Sequence, residues 1–329
     1  MADEPITQNH TALEEKLRPT KLADYVGQAA VKESLKVYIE AAGKRNDPLP
    51  HVLVHGGPGL GKTTLARILA SELGVGFRQT SGPALERTGD LAAIISSLND
   101  RDILFIDEIH RLSRVVEEML YPALESFAID LVLGQGMGAK SVRIDLPRFT
   151  LLGATTRFGA LSAPLRERFG VIQHLNFYEV AEIEKIVERS AKILGIKIEK
   201  EAIAVIASRS RRTPRIANRL LARLRDFAEV RGSGTIDPAL ASSALKTMDI
   251  DDQGLDAIDR RVLRTIIEKF NGGPVGISTI AAACHEERET IEVVIEPYLL
   301  QLGFLDRTLR GRKVTSLAYN HLGVQQSLL

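Results

Sequence analysis

The sequence predicts an α/β protein built on a mainly parallel sheet with helices on both faces, followed by two smaller domains. From Leu22 to about Tyr178, short apolar runs typical of strands alternate with helical patterns. From Glu179 to about Met248 the apolar spacing is helical throughout, which predicts a small all-α bundle. The acidic stretch 248–256 is interpreted as a linker to a third domain. The expected domains are residues 1–178, 179–250 and 251–329.

The composition is that of an ordinary globular protein with aliphatic cores. Of 329 residues, 44% are hydrophobic and only 5% aromatic, and the net charge is +1. Because the chain has no overall basic field, any contact with nucleic acid must depend on a local basic patch. The single cysteine, Cys284, excludes an intrachain disulfide and a cysteine-based zinc site. No apolar run is long enough to span a membrane and the N-terminus has no signal-peptide pattern, so a cytoplasmic location is expected.

A phosphate-binding loop follows the first of four predicted strands. These strands are residues 51–56, 102–108, 149–156 and 171–177. The segment GGPGLGKTT fits G-x-x-x-x-G-K-[ST], with a strand before it and a helical pattern behind it. Its glycines let backbone N–H groups surround phosphate oxygens, Lys62 would reach the terminal phosphates, and the Thr63 hydroxyl suits Mg²⁺. The sequence therefore predicts a site for ATP or ADP with Mg²⁺ rather than a chance glycine-rich turn.

Polar residues at the ends of two further strands are predicted to complete this site. Asp107 is placed to hold Mg²⁺, and Glu108 is placed to activate a water for attack on the γ-phosphate. After the third strand, Thr155 or Thr156 could contact the γ-phosphate or that water. The alternative is an ordinary strand with polar C-terminal residues, which the spacing after the phosphate loop disfavours.

Three arginines in the helical segment form one stripe. Arg215, Arg219 and Arg223 are four residues apart, beside an apolar stripe that would pack the bundle. Arg219 and Arg223 are interpreted as a solvated face. Arg215 stands at the start of its helix, where a cation is unfavourable, so we expect it to have a local partner or a ligand.

A β-hairpin is predicted at residues 128–146, inserted within the sheet domain. Two runs of alternating apolar and polar residues flank a glycine-rich tip. Ile129, Leu131 and Leu133 would lie on one face, which favours a protruding partner-binding surface. The alternative is a hairpin that folds back on its own core.

The C-terminal domain is predicted to be a winged helix that ends in a two-stranded wing. Arg307, Arg310, Arg312 and Lys313 place four basic residues within seven positions around the wing tip. Such a patch suits backbone phosphates rather than base edges. The alternative is a solvated turn.

Two arginines stand before the last predicted strand, in the segment LSAPLRERFG. Arg166 and Arg168 are two residues apart, so on a helix they would point about 200° apart and could not both reach one phosphate. The phosphate site already has Lys62 and Arg215. A further arginine at the rim is more useful to a γ-phosphate held by a neighbouring copy, and the residues alone leave both arginines open for that role. A solvated turn is the alternative.

These motifs in this order resemble the AAA+ ATPases. The segment LRPTKLADYVGQ, before the phosphate loop, looks like the base-binding strip of the clamp-loader side of that superfamily. RRTPRIANRLLARLRDFAE resembles the second-sensor region of the RuvB family, the bacterial Holliday-junction branch-migration ATPases. GGPVG, EERETIE, EPYLLQLGFLDRT and RGR resemble the C-terminal domain of that family. The resemblance implies an AAA+ P-loop core, an all-α lid and a C-terminal winged helix.

The resemblance also implies roles for individual residues. Thr156 would sense the γ-phosphate, Arg215 would reach the nucleotide from the lid, and Arg168 would be the arginine finger, with Arg166 bracing the interface. The remaining nucleotide-contacting positions would be Leu17, Arg18, Tyr25, Val26, Gly59, Gly61, Lys62, Thr63, Thr64, Glu125, Ser126, Phe127 and Tyr178.

The function that this resemblance implies is that of a DNA motor. A hexameric ring on duplex DNA would drive branch migration of Holliday junctions in recombination and repair. The hairpin would dock the junction-binding protein RuvA, and the resolvase RuvC would join a larger complex. A clamp-loader-type or origin-type DNA remodelling ATPase is the first alternative. A protein unfoldase is the second, and the lack of an aromatic residue in RQTSGPALERTGDL counts against it.

Overall fold

The computed structural model describes residues 14–133 and 140–325, which form two compact units. Of the described residues, the sheet unit comprises 18–56, 60–133 and 140–176. The lid–wing unit comprises 14–17, 57–59 and 177–325. Within these residues no helix is both long enough and apolar enough to cross a membrane.

The sheet unit contains a five-stranded parallel sheet in the order β2-β3-β6-β1-β7 and a separate antiparallel hairpin, β4-β5. The strands are β1 (Val52–Gly56), β2 (Phe77–Ser81), β3 (Ile103–Asp107), β4 (Ala128–Leu133), β5 (Lys140–Asp145), β6 (Thr150–Thr155) and β7 (Val171–Leu175). The helices are α1 (Ala29–Arg45), α2 (Lys62–Leu73), α3 (Thr88–Ser96), α4 (Arg114–Glu125) and α5 (Ala163–Glu167).

Burial explains which strands the sequence predicts. Every residue of β6 is buried, and so is every residue of β3 before Asp107, so these strands read as unbroken apolar runs. The sequence does not predict β2, because it is an edge strand in which Phe77 is followed by the exposed residues Arg78 and Gln79.

The lid–wing unit begins with a helical bundle, as the sequence predicts. The bundle consists of α6 (Val180–Leu194), α7 (Lys200–Ser208), α8 (Pro214–Arg231) and α9 (Pro238–Thr247), with the two-residue strands β8 (Lys197–Ile198) and β9 (Thr235–Ile236). The apolar stripe of α8 supplies buried Leu220, Leu221 and Leu224 to this bundle.

A winged helix follows the bundle. It consists of α10 (Ala257–Phe270), α11 (Ile277–Cys284), α12 (Arg288–Thr290), α13 (Glu296–Gln301), the wing strands β10 (Leu305–Thr308) and β11 (Gly311–Val314), and α14 (Ser316–Leu322). Between α12 and α13 the backbone is π-helical over Ile291–Ile295, immediately before Pro297. Proline has no N–H to donate, which explains why the regular hydrogen-bond ladder is interrupted there. Cys284 is buried in the core of this domain.

A half-buried histidine directly before β1, His51, ties the sheet to α4. The backbone N–H of Leu151 donates to Nδ1 of His51 over 2.9 Å. The proton of the neutral ring is therefore on Nε2, which donates to the carbonyl of Leu124 over 3.1 Å. Burial lowers the pKa of His51, and the hydrogen bond to Leu124 only partly opposes this.

This histidine should make the stability of the protein depend on pH. The pKa of His51 is lower in the folded chain than in the unfolded chain, so the unfolded chain takes up the proton first as the pH falls. We expect the free energy of unfolding to fall as the pH drops from about 7.5 to about 5.5. His51→Gln should flatten this slope, as measured by urea titration at each pH. His285→Gln, at an exposed position, is the control, and an unchanged slope in His51→Gln would contradict the assignment.

Candidate nucleotide and DNA sites

The carboxyl ends of three neighbouring strands bring the predicted phosphate site together. β3, β6 and β1 are adjacent and parallel, and they end at Asp107, Thr155 and Gly56. In open α/β sheets, ligands bind outside the carboxyl ends of the strands. The phosphate loop, the acidic pair and the threonine pair therefore share one edge of the sheet.

Close packing explains the glycines of the phosphate loop. Gly56 has φ +145°, and a Cβ there would lie 2.5 Å from the carbonyl oxygen of Leu175. Gly61 has φ +99°, and a Cβ there would lie 2.9 Å from the hydroxyl of Tyr25. Lys62 begins α2, is only 8% exposed, and donates from Nζ to the carbonyl of Gly56 over 2.9 Å. Its ammonium group is thus held at the loop, where terminal phosphates are expected.

The residues expected to hold Mg²⁺ are suited to that ion. The hydroxyl of Thr63 donates to Oδ2 of Asp107 over 3.3 Å, so the two oxygen groups converge. Hydroxyl and carboxylate oxygens are the ligands that Mg²⁺ prefers. The other carboxylate oxygen of Asp107 accepts from the N–H of Glu108, whose side chain forms an exposed ion pair with Arg111 at 3.1 Å.

The structure distinguishes the two threonines at the end of β6. Thr155 is fully buried, and its hydroxyl oxygen bonds to Nδ1 of His110 and accepts from the N–H of Arg157, each over 2.9 Å. Thr156 is half-buried and follows the strand directly. The geometry favours Thr156 as the γ-phosphate sensor. His110 is a residue of this site that was not predicted from the sequence, although its place directly after the segment DEI is a usable signal.

The N-terminal strip is well packed. Leu17 is 3% exposed, and its carbonyl accepts from Arg189 over 2.8 Å in the lid–wing unit. In the sheet unit Tyr25 is also 3% exposed and donates to the carbonyl of Leu60 over 3.3 Å. Arg18, Val26, Thr63 and Thr64 are half-buried. Contacts of these residues with a nucleotide stay predictions.

Arg215 has the local partner that its position at a helix start requires. Its Nε lies 3.6 Å from a carboxylate oxygen of Glu14, and its side chain is 46% exposed. A Cβ on Gly59 would lie 3.1 Å from the Cβ of Arg215, so the start of α8 approaches this residue of the phosphate loop. Arg219 and Arg223 are exposed, as predicted. Tyr178 is buried, and its N–H donates to the carbonyl of Arg212 over 3.0 Å.

Arg168 lies near the amino ends of the sheet strands, whereas the phosphate loop follows the carboxyl end of β1. Val171, three residues after Arg168, pairs with Val52 at the start of β1, whereas the phosphate loop follows Gly56 at its end. β1 spans about 13 Å between these ends, at about 3.3 Å per residue. Arg168 is therefore badly placed to serve the phosphate loop of its own chain.

Arg168 is held by residues of its own unit. Its guanidinium lies 2.9 Å from the carboxylate of Glu125, donates to the carbonyl of Pro164 over 2.6 Å and stacks 4.2 Å above the ring of Tyr121. Its side chain is 20% exposed. Arg166 lies 5.4 Å from the ring centroid of Phe158.

Three further residues that are expected to contact a nucleotide also lie near the amino ends of the strands: Glu125, Ser126 and Phe127. Glu125, the last residue of α4, and Ser126 are exposed, whereas Phe127 packs against His51, which directly precedes β1. They therefore lie away from the phosphate loop of their own chain. Contacts of the three with a nucleotide stay predictions, and their position suits a nucleotide held by a neighbouring copy.

The hairpin is anchored at its base. Ile129 is fully buried in the core of the sheet unit, which corrects the expectation that it belongs to an exposed partner surface. Further along, Leu131 pairs with Val142, which is 39% exposed. Directly paired residues share a face of an antiparallel ribbon, so an exposed apolar position lies on the predicted face. The side chains of Leu131 and Leu133, and the tip at 134–139, lie outside the described residues.

The wing presents fewer cations than the sequence suggests. Arg307, Arg310 and Lys313 are exposed. Arg312 instead forms a two-pronged ion pair with Glu296 at 3.0 and 2.9 Å, and the two side chains are 11% and 3% exposed. This pair fastens the wing to α13 and disfavours Arg312 as a phosphate ligand, and its role in DNA binding stays a prediction.

Family models match almost the whole described chain. Residues 17–175 match the Holliday junction DNA helicase RuvB P-loop domain, residues 178–251 the RuvB AAA lid domain, and residues 252–323 the RuvB C-terminal winged helix domain.

Solved structures agree with these matches. RuvB of Thermotoga maritima, described as a Holliday junction branch migration motor, is 50% identical with a TM-score of 0.87, over 94% of this chain and 99% of that one. A single-residue variant of the same protein has a TM-score of 0.88 at the same identity and coverage. The Aeropyrum pernix ORC2 protein has a TM-score of 0.54 at 18% identity, over 85% of this chain and 87% of that one, and shares the fold alone.

The fold and the phosphate site define a P-loop ATPase of the AAA+ class that carries a helical lid and a winged helix. Within that class, the chain belongs to the RuvB family, as the three domain matches and the identity over nearly its whole length show. The predicted fold class and family resemblance are both confirmed.

The wing residues should separate DNA binding from stability. Arg310→Ala should weaken binding to all duplexes alike and reduce the slope of log affinity against log salt by about 1, because one phosphate contact is lost. Arg312→Ala should destabilise the winged helix by about 3–5 kcal/mol, because Glu296 is left buried and unpaired. Fluorescence anisotropy with duplex DNA and thermal unfolding measure the two effects. Equal loss of stability in both variants would contradict the distinction.

Proposed function

We propose that this protein is an ATP-driven DNA motor whose subunits form a hexameric ring on duplex DNA and drive branch migration of Holliday junctions. Its family membership and its similarity to the Thermotoga motor support this proposal. The observation that carries it is the position of Arg168, on the opposite edge of the sheet from its own phosphate loop. A chain with this geometry needs a neighbour to complete its catalytic site.

The residues of the phosphate site divide the work of hydrolysis. Lys62 binds the terminal phosphates, while Thr63 and Asp107 hold Mg²⁺, which neutralises phosphate charge when bound. Glu108 takes a proton from the attacking water, and Thr156 orients that water or the γ-phosphate. Breaking the exposed Arg111 pair leaves the Glu108 carboxylate to act as this base, and such exposed pairs contribute little stability.

Arg168 of one subunit stabilises the charge that develops on the γ-phosphate held by the next. Its contacts with Glu125 and Tyr121 position it at the subunit rim. Glu125 is 60% exposed, so exchanging this carboxylate for a phosphate costs little. Glu125 and Ser126, beside Arg168, are placed to meet the same nucleotide.

The wing and the hairpin supply the remaining contacts of the motor. Arg307, Arg310 and Lys313 bind backbone phosphates of duplex DNA without reading its sequence. The hairpin docks RuvA through the apolar face that includes Leu131, Val142 and Leu133. The resolvase RuvC joins this assembly during recombination and repair.

The shared site can be tested by mixing two inactive variants. Arg168→Ala should reduce ATP turnover about 10³–10⁵-fold while nucleotide binding persists, because the finger acts only in the transition state. Lys62→Ala should also be inactive. Mixing the two should restore some turnover, because one variant supplies Lys62 and the other supplies Arg168 at a common site.

Arg166→Ala is the matched control for this experiment, since it removes an arginine two residues away. Normal turnover in Arg168→Ala together with loss in Arg166→Ala would reverse the assignment of the finger. No recovery in any mixture would contradict a site built from two subunits.

The docking role of the hairpin can be measured separately from hydrolysis. Leu131→Asp with Val142→Asp should weaken RuvA binding by at least about tenfold, because two carboxylates replace an apolar contact. DNA-independent ATP turnover should be unchanged. Val230→Asp, at an exposed apolar position on α8, is the control. Unchanged RuvA affinity, measured by calorimetry, would exclude this docking face.

Branch migration itself is the test of the motor. With ATP, Mg²⁺ and RuvA, the protein should separate the arms of a synthetic four-way junction. Absence of migration in the presence of both proteins, with ATP turnover intact, would contradict the proposal and favour a DNA remodelling ATPase of the loader type.

A further inference from the structure

The acidic segment interpreted from sequence as a linker is fastened to both domains that it joins. We define the acidic connector as residues 249–256, between α9 and α10. Its ion pairs within the described residues include Arg209–Asp252, Arg211–Asp256, Arg260–Asp249 and Arg260–Asp251, and His321 of α14 forms a hydrogen bond with Asp251 over 2.9 Å. The connector backbone also packs closely on the bundle, because a Cβ on Gly254 would lie 2.5 Å from the carbonyl oxygen of Arg209. These contacts hold the bundle and the winged helix in a fixed relative position. We call the acidic connector together with its partners in both domains the joint.

Arg211 is the central residue of this joint. It lies in the turn between α7 and α8, and its side chain is 11% exposed. Nε donates to the carbonyl of Gly254 over 3.0 Å, and Nη2 donates to Asp256 over 2.7 Å. Both terminal nitrogens also donate to the carboxylate of Asp259, which is in the first turn of α10 and only 1% exposed. One guanidinium therefore links the bundle, the connector and the winged helix.

The ring of Tyr298 closes the same joint from α13. The guanidinium of Arg211 lies 5.9 Å from the centroid of this ring, and the hydroxyl donates to the carbonyl of Gln253 over 2.6 Å. An aromatic face and two carboxylates around one planar cation fix its orientation as well as its position. A lysine could not reproduce this arrangement, because it has no planar fork.

The next residue, Arg212, contacts the start of the bundle. Arg211 and Arg212 have φ of +51° and +52°, a left-handed conformation that is uncommon for residues with side chains. This backbone directs Arg211 to the winged helix. The carbonyl of Arg212 accepts from the N–H of Tyr178, and its guanidinium lies 3.5 Å from Glu179 at the start of the lid.

The turn that contains both arginines leads directly to Arg215. Thr213 is 4% exposed, and its hydroxyl donates to the carbonyl of Ser210 over 3.1 Å, which closes the turn. α8 begins at the following residue, and Arg215 is in its first turn. Arg211 and Arg215 are thus connected by a short turn that is closed by hydrogen bonds.

We propose that Arg211 and Asp259 are positioning residues that hold the winged helix rigidly against the lid. A force on bound DNA would then be transmitted from the winged helix to Arg215. This inference rests on the proposed function, because it assumes that the wing holds DNA and that Arg215 senses nucleotide. Both residues would couple ATP hydrolysis to the movement of DNA, and neither would take part in a chemical step of hydrolysis.

The electrostatics of the joint agree with this role. Burial raises the pKa of Asp259 to about 6 despite the nearby Arg211, so the carboxyl group is still ionised at neutral pH. For Asp256, burial opposes ionisation, but Arg211 and the backbone N–H groups outweigh it and the pKa is lowered. A buried ion pair adds little net stability over a well-packed apolar replacement. Its fixed geometry is therefore the property that matters here.

The test measures how many ATP molecules are hydrolysed for each base pair of junction migration. Arg211→Lys keeps the charge but loses the fork, and Arg211→Met with Asp259→Asn removes both charges without leaving either one buried alone. In each variant we expect the ATP hydrolysed per base pair migrated to rise about fivefold or more, the lower range of measured couplings between sites. ATP turnover without DNA should be unchanged. Arg261→Lys is the matched control. Arg261 lies on α10, as Asp259 does, and its exposed side chain pairs with Glu286.

A distance measurement tests the lock directly. Val230 and Leu317 are 82% and 56% exposed on the bundle and the winged helix, and the native Cys284 is buried, so cysteines at the two positions can be spin-labelled selectively. With labelled chains diluted in unlabelled ones, the wild-type distance distribution should be narrow and should broaden in both Arg211 variants. An unchanged distribution in these variants would overturn the lock.

The two measurements separate the possible failures. A proportional fall in turnover and migration, with an unchanged ratio, would show a merely structural role and overturn the inference. Broadened distances with an unchanged ratio would overturn the coupling and leave the motor function standing. If wild-type protein failed to migrate junctions, the proposed function would fail and the coupling with it.

Discussion

The register of β1 between β6 and β7 determines where every functional element of the sheet unit lies. Because all five strands are parallel, their register brings the carboxyl ends of β3, β6 and β1 together at one end of the sheet and their amino ends together at the other. This register fixes the phosphate loop and Asp107 at the carboxyl edge. It fixes Arg168, Glu125 and the base of the hairpin at the amino edge. Under the proposed function, one subunit carries two half-sites at opposite ends of the strands, and assembly is then a requirement of catalysis.

The contacts of Arg168 near the amino ends of the strands are strong enough to orient its guanidinium. They are also weak enough for the guanidinium to leave Glu125. The ring of Tyr121 and the carbonyl of Pro164 restrict the guanidinium, whereas the ion pair with exposed Glu125 contributes little energy. The joint around Arg211 has the opposite character. Its carboxylates are buried or half-buried and its guanidinium is bonded on every side, which suits a part that must transmit movement rather than exchange partners.

Much of this architecture could be predicted from the sequence, because local patterns encode it. Short, largely apolar runs identified four of the five sheet strands, and the glycine spacing around Lys62 identified the phosphate loop. Sequence patterns do not reveal long-range pairing. Arg312 looks like a wing cation until Glu296, sixteen residues earlier, is seen to neutralise it. Ile129 follows the same alternation as Leu131 but lies in the core. The acidic connector looked like a linker because its basic partners come from separate segments of the chain.

The account depends most directly on the claim that two subunits build each catalytic site. A structure of the assembled protein on duplex DNA, with a non-hydrolysable ATP analogue and Mg²⁺, measures this. The account predicts that the guanidinium of Arg168 has left Glu125 and lies within hydrogen-bond distance of a γ-phosphate held by Lys62 of the neighbouring subunit. An assembled ring in which Arg168 still binds its own Glu125, while each nucleotide is enclosed by one subunit alone, would contradict it.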